Sequence, residues 1–334
     1  MDAESAEFPK VTAVAVNWNS AALTITLFES IAEAFGQGLR AVVVDNGSAD
    51  DSVEVLRTFI ATRGYETQIT LLPLAENLGF TGGVNAGAEA ALAATDPPAF
   101  IWLLNPDVTT NVRTLNEMVA VALESKAGIV ACGSEYLKVD AWPKPFWTWR
   151  RNDHWSATKQ GRWWPIGAYF GHCVIFDAAL VKSLIEADGH FQDPGLFMDW
   201  DEWECSLRAK RLGAKIVMAR DTEVVHDGGF RTLGKSRRAE LRQYYAARNG
   251  VSVSRRFMPA WQFWLLLPVR IARDASWFAR VRLRGETPHP GCYLLGTLDA
   301  FRGRTGRWSQ HPADAPVGAA PRLLPQHVSP DAKR

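Results

Sequence analysis

The sequence lacks the features that define several common classes of protein. None of its four cysteines, in 334 residues, forms the Cys-x-x-Cys pair of a zinc ribbon or redox motif, so we expect buried thiols in a reducing compartment. Lysine and arginine (37) balance aspartate and glutamate (36), so no overall charge favours nucleic acid as a partner. The mean hydropathy of -0.12 excludes a polytopic membrane protein. The first residues, MDAESAEFPK, show no basic and then apolar segment, which predicts a cytoplasmic protein.

Apolar, β-branched runs alternate with helical patterns over the first 135 residues or so. A strand followed by a polar loop is predicted over 11–19, and further strands over 40–44, 69–74, 100–104 and 128–133, with helices over 21–35, 51–63, 86–94 and 113–125. A strand over 167–176, a helix over 177–187, an acidic helix closed by Gly213 and a strand over 214–218 follow. This alternation predicts an α/β fold with a mainly parallel sheet flanked by helices.

Polar residues follow the apolar runs at the point where each strand ends. They are Asn17, Asn19, Asp45, Asn46, Asn77, Asn85, Asn105 and Asp107. Because ligands bind beyond the carboxyl ends of parallel strands, we expect these residues to converge on one edge and form a site. A single such residue is more often a turn former or helix cap.

The glycine-rich segment NLGFTGGVNAG, at 77–87, contains neither a GxGxxG fingerprint nor a P-loop. Its glycines permit a ligand to approach the backbone closely, although a tight strand-to-helix turn explains them equally simply.

Two groups of residues suggest chemistry. Asp107 ends a buried strand and is the best metal candidate, because one carboxylate and a substrate diphosphate suffice for Mg²⁺. His226 can complete that site, although a lone histidine is often structural.

Asp199, Asp201, Glu202 and Glu204 form an acidic cluster with two tryptophans. Aromatic neighbours can raise a carboxylate's pKa and make it a general base, whereas acids in a first helical turn also suit the helix dipole.

The ordered series of motifs resembles family 2 glycosyltransferases, and within them most closely the bacterial rhamnosyltransferase-like branch. The series is VNWN, VVVDNGSADDS, NLGFTGGVNAG, LLNPDV, GHCVIF, FMDWDEWECSLR and VVHDGG, followed by YYAARN at 244–249 and LDAFRGRTGR at 298–307. The resemblance implies a GT-A fold with a Rossmann-like, mostly parallel sheet and a C-terminal helical extension. It also implies inverting transfer of a sugar, rhamnose or similar, from a nucleotide diphosphate donor to a polysaccharide or lipid-linked acceptor of the cell envelope.

The resemblance also assigns expected roles. Residues expected to bind the nucleotide sugar are Asn17, Asn19, Asp45, Asn46, Asn77, Gly82, Gly83, Asn85, Asn105 and Asp107. Asp107, with His226, is expected to hold Mg²⁺ or Mn²⁺. The family's Glu-Asp pair is reversed here, so Glu202 takes the position of the base and Asp201 remains an alternative. His172 replaces a small residue of the branch and, with Trp200, is expected in the sugar or acceptor pocket.

We expect a glycosyltransferase domain over 1–250, with a donor half to about 135 and an acceptor half from about 136. A basic, aromatic helical extension then covers 251–310, and 311–334 is a loosely ordered tail. Residues 255–307 contain ten arginines, no lysine and three acids. This composition suggests peripheral membrane contact through 255–285, with a helical pair packed on the catalytic domain or a homodimer contact as alternatives.

Six tryptophans between 142 and 164 can stack on sugars or form a core under an insertion. An inactive sugar-binding or scaffold protein on the same fold is the alternative function. A sugar-phosphate nucleotidyltransferase is disfavoured, because VNWNSAALT lacks the basic, glycine-rich loop such enzymes need.

Overall fold

The computed structural model describes residues 8–133, 136–138, 149–151, 161–226, 235–283 and 289–308. The predicted tail, 311–334, and three of the six clustered tryptophans, Trp142, Trp147 and Trp155, lie outside the described residues. Of that cluster, Trp163 packs against the core and lies under the Lys215 ammonium, 3.8 Å from its ring centre.

The first hundred residues alternate strands and helices. The elements are β1 (Val11–Asn17), α1 (Ala21–Ser30), α2 (Ala32–Gly36), β2 (Arg40–Asp45), α3 (Ser52–Arg63), β3 (Ile69–Pro73), α4 (Gly79–Leu92) and β4 (Phe100–Leu104). β1 pairs in parallel with β2 and β4, and β2 pairs in parallel with β3. The apolar runs of β1 and β4 are buried over their whole length, as expected for parallel strands covered on both faces.

The second part of the chain completes the sheet. Its elements are β5 (Val108–Thr109), α5 (Val112–Ser125), β6 (Ile129–Ala131), β7 (Tyr136–Lys138), β8 (Trp149–Arg151), β9 (Trp163–Pro165), β10 (Cys173–Asp177), α6 (Ala178–Asp188), α7 (Asp201–Arg211), β11 (Ile216–Ala219) and β12 (Val225–His226). The strand order is β3-β2-β1-β4-β10-β6-β11-β9. The predicted donor and acceptor halves therefore share one sheet.

The antiparallel strand β10 brings the middle of the chain to the sheet edge where β4 ends. β10 lies between β4 and β6 and runs against both, with Cys173 opposite Leu104. Its first residues therefore stand beside the last residues of β4. The short pair β5–β12 adds to the same edge, because His226 lies opposite Val108.

The glycine-rich segment is helical rather than a loop. α4 begins at Gly79, seven residues before the predicted helix. Side chains at Gly83 and Gly87 would overlap Val16 and Val14 of β1, so the glycines let the helix pack directly on the sheet. Tertiary packing outweighs the low helix propensity of glycine here.

Three helices follow the sheet: α8 (Lys235–Phe257), α9 (Ala260–Leu283) and α10 (Pro290–Phe301). α8 and α10 pack closely, since a side chain at Gly296 would overlap the Tyr244 backbone. The Tyr244 ring stacks on Trp308, and its hydroxyl donates to Asp299 over 3.0 Å. The predicted domain boundary at residue 250 falls inside α8.

Two charged residues in the middle of α9 face inward, whereas many of its large apolar side chains are exposed. Arg270 and Asp274 are about 15% and 17% exposed. The exposed large apolar side chains of this helix are Trp261, Trp264, Leu265, Val269, Ile271, Trp277 and Leu283. Such an arrangement reverses that of a helix packed on a protein in water. Among the described residues, none of the helices has both the length and the hydrophobicity needed to cross a bilayer.

Candidate active site

The loops after β1 and β2 are held together by the carboxylate of Asp45. Asp45 is 1% exposed and accepts hydrogen bonds from Asn17 Nδ2 at 2.8 Å and from Ser48 Oγ at 2.6 Å. Asn19, with φ +51°, accepts from the Ala49 backbone N–H at 2.8 Å. The first two predicted donor-binding loops therefore form one rigid unit.

The next predicted donor residues form a second unit at the start of α4. Asn46 Nδ2 donates to Asn77 Oδ1 at 3.2 Å and to the Gly79 carbonyl at 2.9 Å. Asn77 Oδ1 in turn accepts from the Gly79 N–H at 2.8 Å. Gly83 lies near Asn46 as well as Val16. Gly82 is partly exposed one residue earlier in α4.

Asn85 points away from these loops and fastens α4 to a different segment. Its side-chain oxygen accepts from the Gln192 N–H at 2.7 Å, and its side-chain nitrogen donates to the Gln192 carbonyl at 2.8 Å. Both polar atoms of Asn85 are thus engaged with one buried backbone unit.

The residues after β4 meet two histidines. Asp107 Oδ2 lies 3.2 Å from His226 Nε2, and the His226 ring stacks on His172 with centroids 4.8 Å apart. The Asn105 N–H donates to the His172 carbonyl at 3.0 Å. Asn105 Oδ1 is buried and has no hydrogen-bond partner among the described residues. The structure therefore places His172 at the predicted metal site.

The thiol of Cys132 lies beside these histidines and is protonated. His172 Nε2 lies 3.2 Å from Cys132 Sγ. A hydrogen bond with Cys173, and then burial, raise the pKa of Cys132 well above its ordinary value. The thiol is therefore protonated at neutral pH, and the oxygen and nitrogen atoms of Asp107 and His226 are the better metal ligands.

The two candidate bases point in different directions. Glu202 Oε1 accepts the Gly171 N–H at 2.9 Å, which places its carboxylate next to the residue preceding His172. Asp201 is 5% exposed and lies near Tyr169. Burial, and then Cys205 and Asp201, raise the pKa of the Tyr169 hydroxyl well above its ordinary value. Glu202 is only partly buried, so a substrate can reach it.

The remaining acid of the helix is structural. Glu204 is fully buried and accepts from Arg208 at 2.8 Å, while Arg256 lies 3.1 Å away. Arg256 also pairs with Asp193 at 2.9 Å. His190, Asp193 and Glu204 bring one potential ligand atom each within 4.8 Å of the others. We assign no metal there, because two guanidinium groups already neutralise the carboxylates.

The segment before α7 is strained. Phe197, Asp199 and Trp200 have φ values of +66°, +66° and +71°. A positive φ costs about 1–3 kcal/mol for each residue that is not glycine. Because this segment leads directly into Asp201 and Glu202, its backbone sets where both acids point.

The pair Arg248–Asn249 of α8 holds the strained segment. Asn249 Nδ2 donates to the carbonyls of residues 196, 198 and 199 at 2.9, 2.7 and 2.9 Å. Arg248 donates to the carbonyls of residues 195 and 196 at 3.0 and 2.9 Å. The motif YYAARN contains this pair, but its sequence gives no role for it. The sequence offers one sign of this pair's importance: an arginine and an asparagine directly follow two tyrosines and two alanines on one helix.

Comparison with known proteins places this geometry in context. Residues 12–185, about half of the chain, match the family described as "Glycosyl transferase family 2". A comparison with curated protein sequences gives no match.

Three solved structures share the fold. PcManGT, a mannosyltransferase from Pyrobaculum calidifontis solved with GDP-Man and Mn²⁺, is 15% identical with a TM-score of 0.55, over 91% of this chain and 88% of its own. S. aureus TarS 1–349, solved with UDP-GlcNAc, is 15% identical with a TM-score of 0.52, over 87% and 81%. GalNAc-T7, solved with UDP, GalNAc and Mn²⁺, is 13% identical with a TM-score of 0.54, over 75% of this chain but only 48% of its own. This chain thus spans about half of GalNAc-T7.

Proposed function

Because this chain belongs to glycosyl transferase family 2, we propose that it transfers a sugar, rhamnose or similar, from a nucleoside diphosphate donor with inversion at the anomeric carbon. The chain is a glycosyltransferase with a GT-A fold, which the sequence predicted. One observation carries the proposal: Asp107 contacts His226, the His226 ring stacks on His172, and Glu202 accepts the N–H of the neighbouring Gly171, so that these side chains gather near the end of β4. The proposed acceptor is a polysaccharide or a lipid-linked glycan of the cell envelope.

The donor's nucleoside and sugar are assigned to the two rigid units at the sheet edge. Asp45 and its partners form one unit, and Asn46 with Asn77 forms the other. Rigid loops suit recognition because little conformational entropy is lost when the ligand binds. The similar structures hold UDP, GDP-Man or UDP-GlcNAc, which supports a nucleotide sugar as the donor class.

Asp107 and His226 fit a divalent cation. Their ligand atoms are 3.2 Å apart, close to the ~3 Å between adjacent ligands of an octahedral ion with bonds of about 2.0–2.1 Å. Their side chains are 11% and 38% exposed, so donor phosphates can complete the coordination. When bound there, Mg²⁺ or Mn²⁺ would stabilise the negative charge of the departing diphosphate.

Glu202 is the proposed general base. Its carboxylate takes the proton of an acceptor hydroxyl while the hydroxyl oxygen bonds to the anomeric carbon. The bond from that carbon to the diphosphate oxygen breaks on the opposite face, which inverts the configuration. Asp201, the alternative base, is more buried and lies near Tyr169.

The outward face of α9 supports peripheral attachment at the inner face of the cell membrane. Trp261 and Leu265 are 69% and 64% exposed, and arginines stand near both ends of the helix at 255, 256, 280 and 282. Apolar and aromatic side chains bordered by cations suit an anionic leaflet. We propose that 251–310 serves as this attachment unit and that 1–250 carries out the transfer, with a homodimer through α9 as the alternative.

The deciding experiment is a panel of nucleotide sugars tested with the full chain, with and without Mn²⁺. We expect one donor to raise the melting temperature only when the metal is present, and its sugar to appear on an acceptor in the opposite anomeric configuration. Binding without any transfer would favour the sugar-binding alternative. If no member of a broad panel stabilises the protein, the proposal is wrong.

A further inference from the structure

A cleft of about 450 Å³ lies among α8, α9 and α10, beside the start of α7. This volume is within the ~300–1,000 Å³ of small-molecule sites. Its walls combine aromatic and charged side chains, including Trp200, Tyr293, Arg242, Arg270, Arg273 and Asp274. The donor-binding loops do not line it, so the cleft is separate from the proposed donor site.

The cleft holds more positive than negative charge. Arg242, Arg270 and Arg273 face two carboxylates, those of Asp199 and Asp274. Asp274 already accepts from Arg273 at 2.7 Å and from the Tyr293 hydroxyl at 2.7 Å. One carboxylate therefore serves two guanidinium groups and a phenol.

Arg270 is buried with incomplete hydrogen bonding. Its Nε is buried without a hydrogen-bond partner among the described residues, and the nearest carboxylate oxygen of Asp274 is 3.7 Å away. Burial lowers the pKa of Arg270. A buried cation with incomplete hydrogen bonding is stabilised by an anion that enters beside it.

The surroundings of Arg270 keep it in place. Its guanidinium lies 5.6 Å from the centre of the Trp200 ring, and Nη2 donates to the Ala246 carbonyl at 3.3 Å. A side chain at Gly250 would overlap both Arg270 and Trp200. Glycine inside a helix is about 1 kcal/mol less favourable than alanine. Gly250 therefore lowers the stability of α8 but leaves space for these two side chains.

We propose that this cleft binds the phosphate or diphosphate group of the acceptor, with Arg270 as the principal anion ligand and the adjoining sugar on the face of Trp200. The inference rests on the proposed function, since it requires a glycosyl acceptor. A guanidinium binds phosphate through two parallel hydrogen bonds, and an indole face suits a sugar ring. Trp200 directly precedes Asp201 and Glu202 in the sequence, so the cleft adjoins the start of the helix that carries the proposed base.

A lipid phosphate is the form that the position favours. Arg270, Arg273 and Asp274 lie on the inner side of α9, whose outer side presents Trp261 and Leu265. One helix can therefore contact both the charged head and the apolar chain of a lipid-linked acceptor. A free phosphate ion would use only the inner side.

The test compares farnesyl monophosphate, farnesol and inorganic phosphate as probes, titrated calorimetrically into the full chain. The variants are Arg270→Gln, Arg270→Lys and Gly250→Ala, and Arg57→Gln is the matched control because Arg57 pairs with Glu54 on the distant surface of α3. We expect Arg270→Gln to weaken farnesyl phosphate binding by about 10–100-fold, as for loss of a hydrogen bond to a charged group. Farnesol binding should not change. Arg270→Lys should recover part of the affinity, and Gly250→Ala should weaken it without removing the charge.

Three results would overturn the inference. The first is equal affinity of the unaltered protein for farnesyl phosphate and farnesol, and the second is an unchanged affinity for farnesyl phosphate in Arg270→Gln. The third is inorganic phosphate binding as tightly as farnesyl phosphate, which would assign the cleft to a free ion. Stabilisation by a nucleotide with Mn²⁺ reports on the donor site separately. Its absence in the unaltered protein would count against the proposed function and not against the cleft.

Discussion

The sheet edge and helix α9 place their polar side chains in opposite ways. At the edge, Asp45, Asn46 and Asn77 leave the ends of strands and bond to one another. On α9, Arg270 and Asp274 turn toward the protein, while Trp261 and Leu265 remain outside. The first arrangement suits a polar ligand that enters from water. The second leaves an apolar surface that water alone does not stabilise, so it implies a further contact.

The largest expected effect tests whether the edge performs the chemistry. Glu202→Gln keeps the size of the side chain but cannot accept a proton, so turnover should fall by roughly 10²–10⁴-fold. Donor affinity should hardly change, because the proton transfer to Glu202 stabilises the transition state and not the bound donor. Asp201→Asn is the matched control and should be milder. Steady-state kinetics and donor titration measure both. The reverse ranking would make Asp201 the base, and small equal losses would exclude both acids.

The next effect concerns the metal ligands at the same edge. Asp107→Ala should remove Mn²⁺-dependent donor binding and lower turnover on the order of 10²–10³-fold, since a charged stabiliser of the leaving group is lost. The melting temperature without ligands should stay close to that of the unaltered protein. Titration of the donor with and without Mn²⁺ provides the measurement. Undiminished transfer would remove Asp107 from the site.

The third prediction tests the apolar side of the comparison. Trp261→Glu combined with Leu265→Glu should reduce co-sedimentation with anionic phosphatidylglycerol vesicles by more than about 10-fold, because burial of each side chain contributes about 1.5–3 kcal/mol. Leu123→Glu combined with Leu212→Glu is the control, since both leucines are exposed elsewhere. Deletion from residue 255 is a poorer test, because it removes α10, which packs on α8.

Two outcomes would contradict membrane attachment. In the first, the unaltered protein remains in the supernatant with anionic vesicles, which leaves α9 without a lipid partner. Alternatively, the glutamate variants would abolish a concentration-dependent dimer seen by light scattering, which would assign the face to a second copy of the chain.

The fourth prediction links the helical extension to the edge. Asn249→Ala removes the donor shared by three carbonyls of the segment before α7. We expect unfolding free energy to fall by about 1–3 kcal/mol, and turnover to fall further than donor affinity, because Glu202 loses its fixed position. Urea unfolding and kinetics measure the two effects. A loss of stability with unchanged turnover would limit Asn249 to a structural role.

The sequence predicts the sheet edge better than the helices around it, for physical reasons. Strand ends are marked by local apolar runs, and a general rule for parallel sheets then brings Asp45 and Asp107 to one side. The antiparallel direction of β10, which places His172 beside Asn105, is a long-range pairing that no local pattern encodes. The helical state of residues 79–85 depends on contact with β1, against the propensity of glycine.

The same limit applies to α8 and α9. The arginines and aromatic residues of 255–285 predict a basic, apolar segment, but which side each residue occupies depends on how α9 packs. Arg248 and Asn249 bond to backbone carbonyls about fifty residues away. Such side-chain-to-backbone contacts leave no complementary residue type in the sequence, so their role emerges only from the structure.

The smallest expected effect decides whether Asn85 belongs to the edge. It is predicted as a donor ligand, yet both its polar atoms bond to the Gln192 backbone, and Gln192 is fully buried. Asn85→Ala leaves that buried N–H and carbonyl without their partner, so unfolding free energy should fall by about 1–3 kcal/mol. Donor affinity should change less than about threefold if the residue only joins α4 to the segment before α7. Urea unfolding and donor titration separate the two roles, and Asn77→Ala is the comparison, because Asn77 lies in the proposed donor unit. A weaker donor complex with unchanged stability would return Asn85 to the binding site.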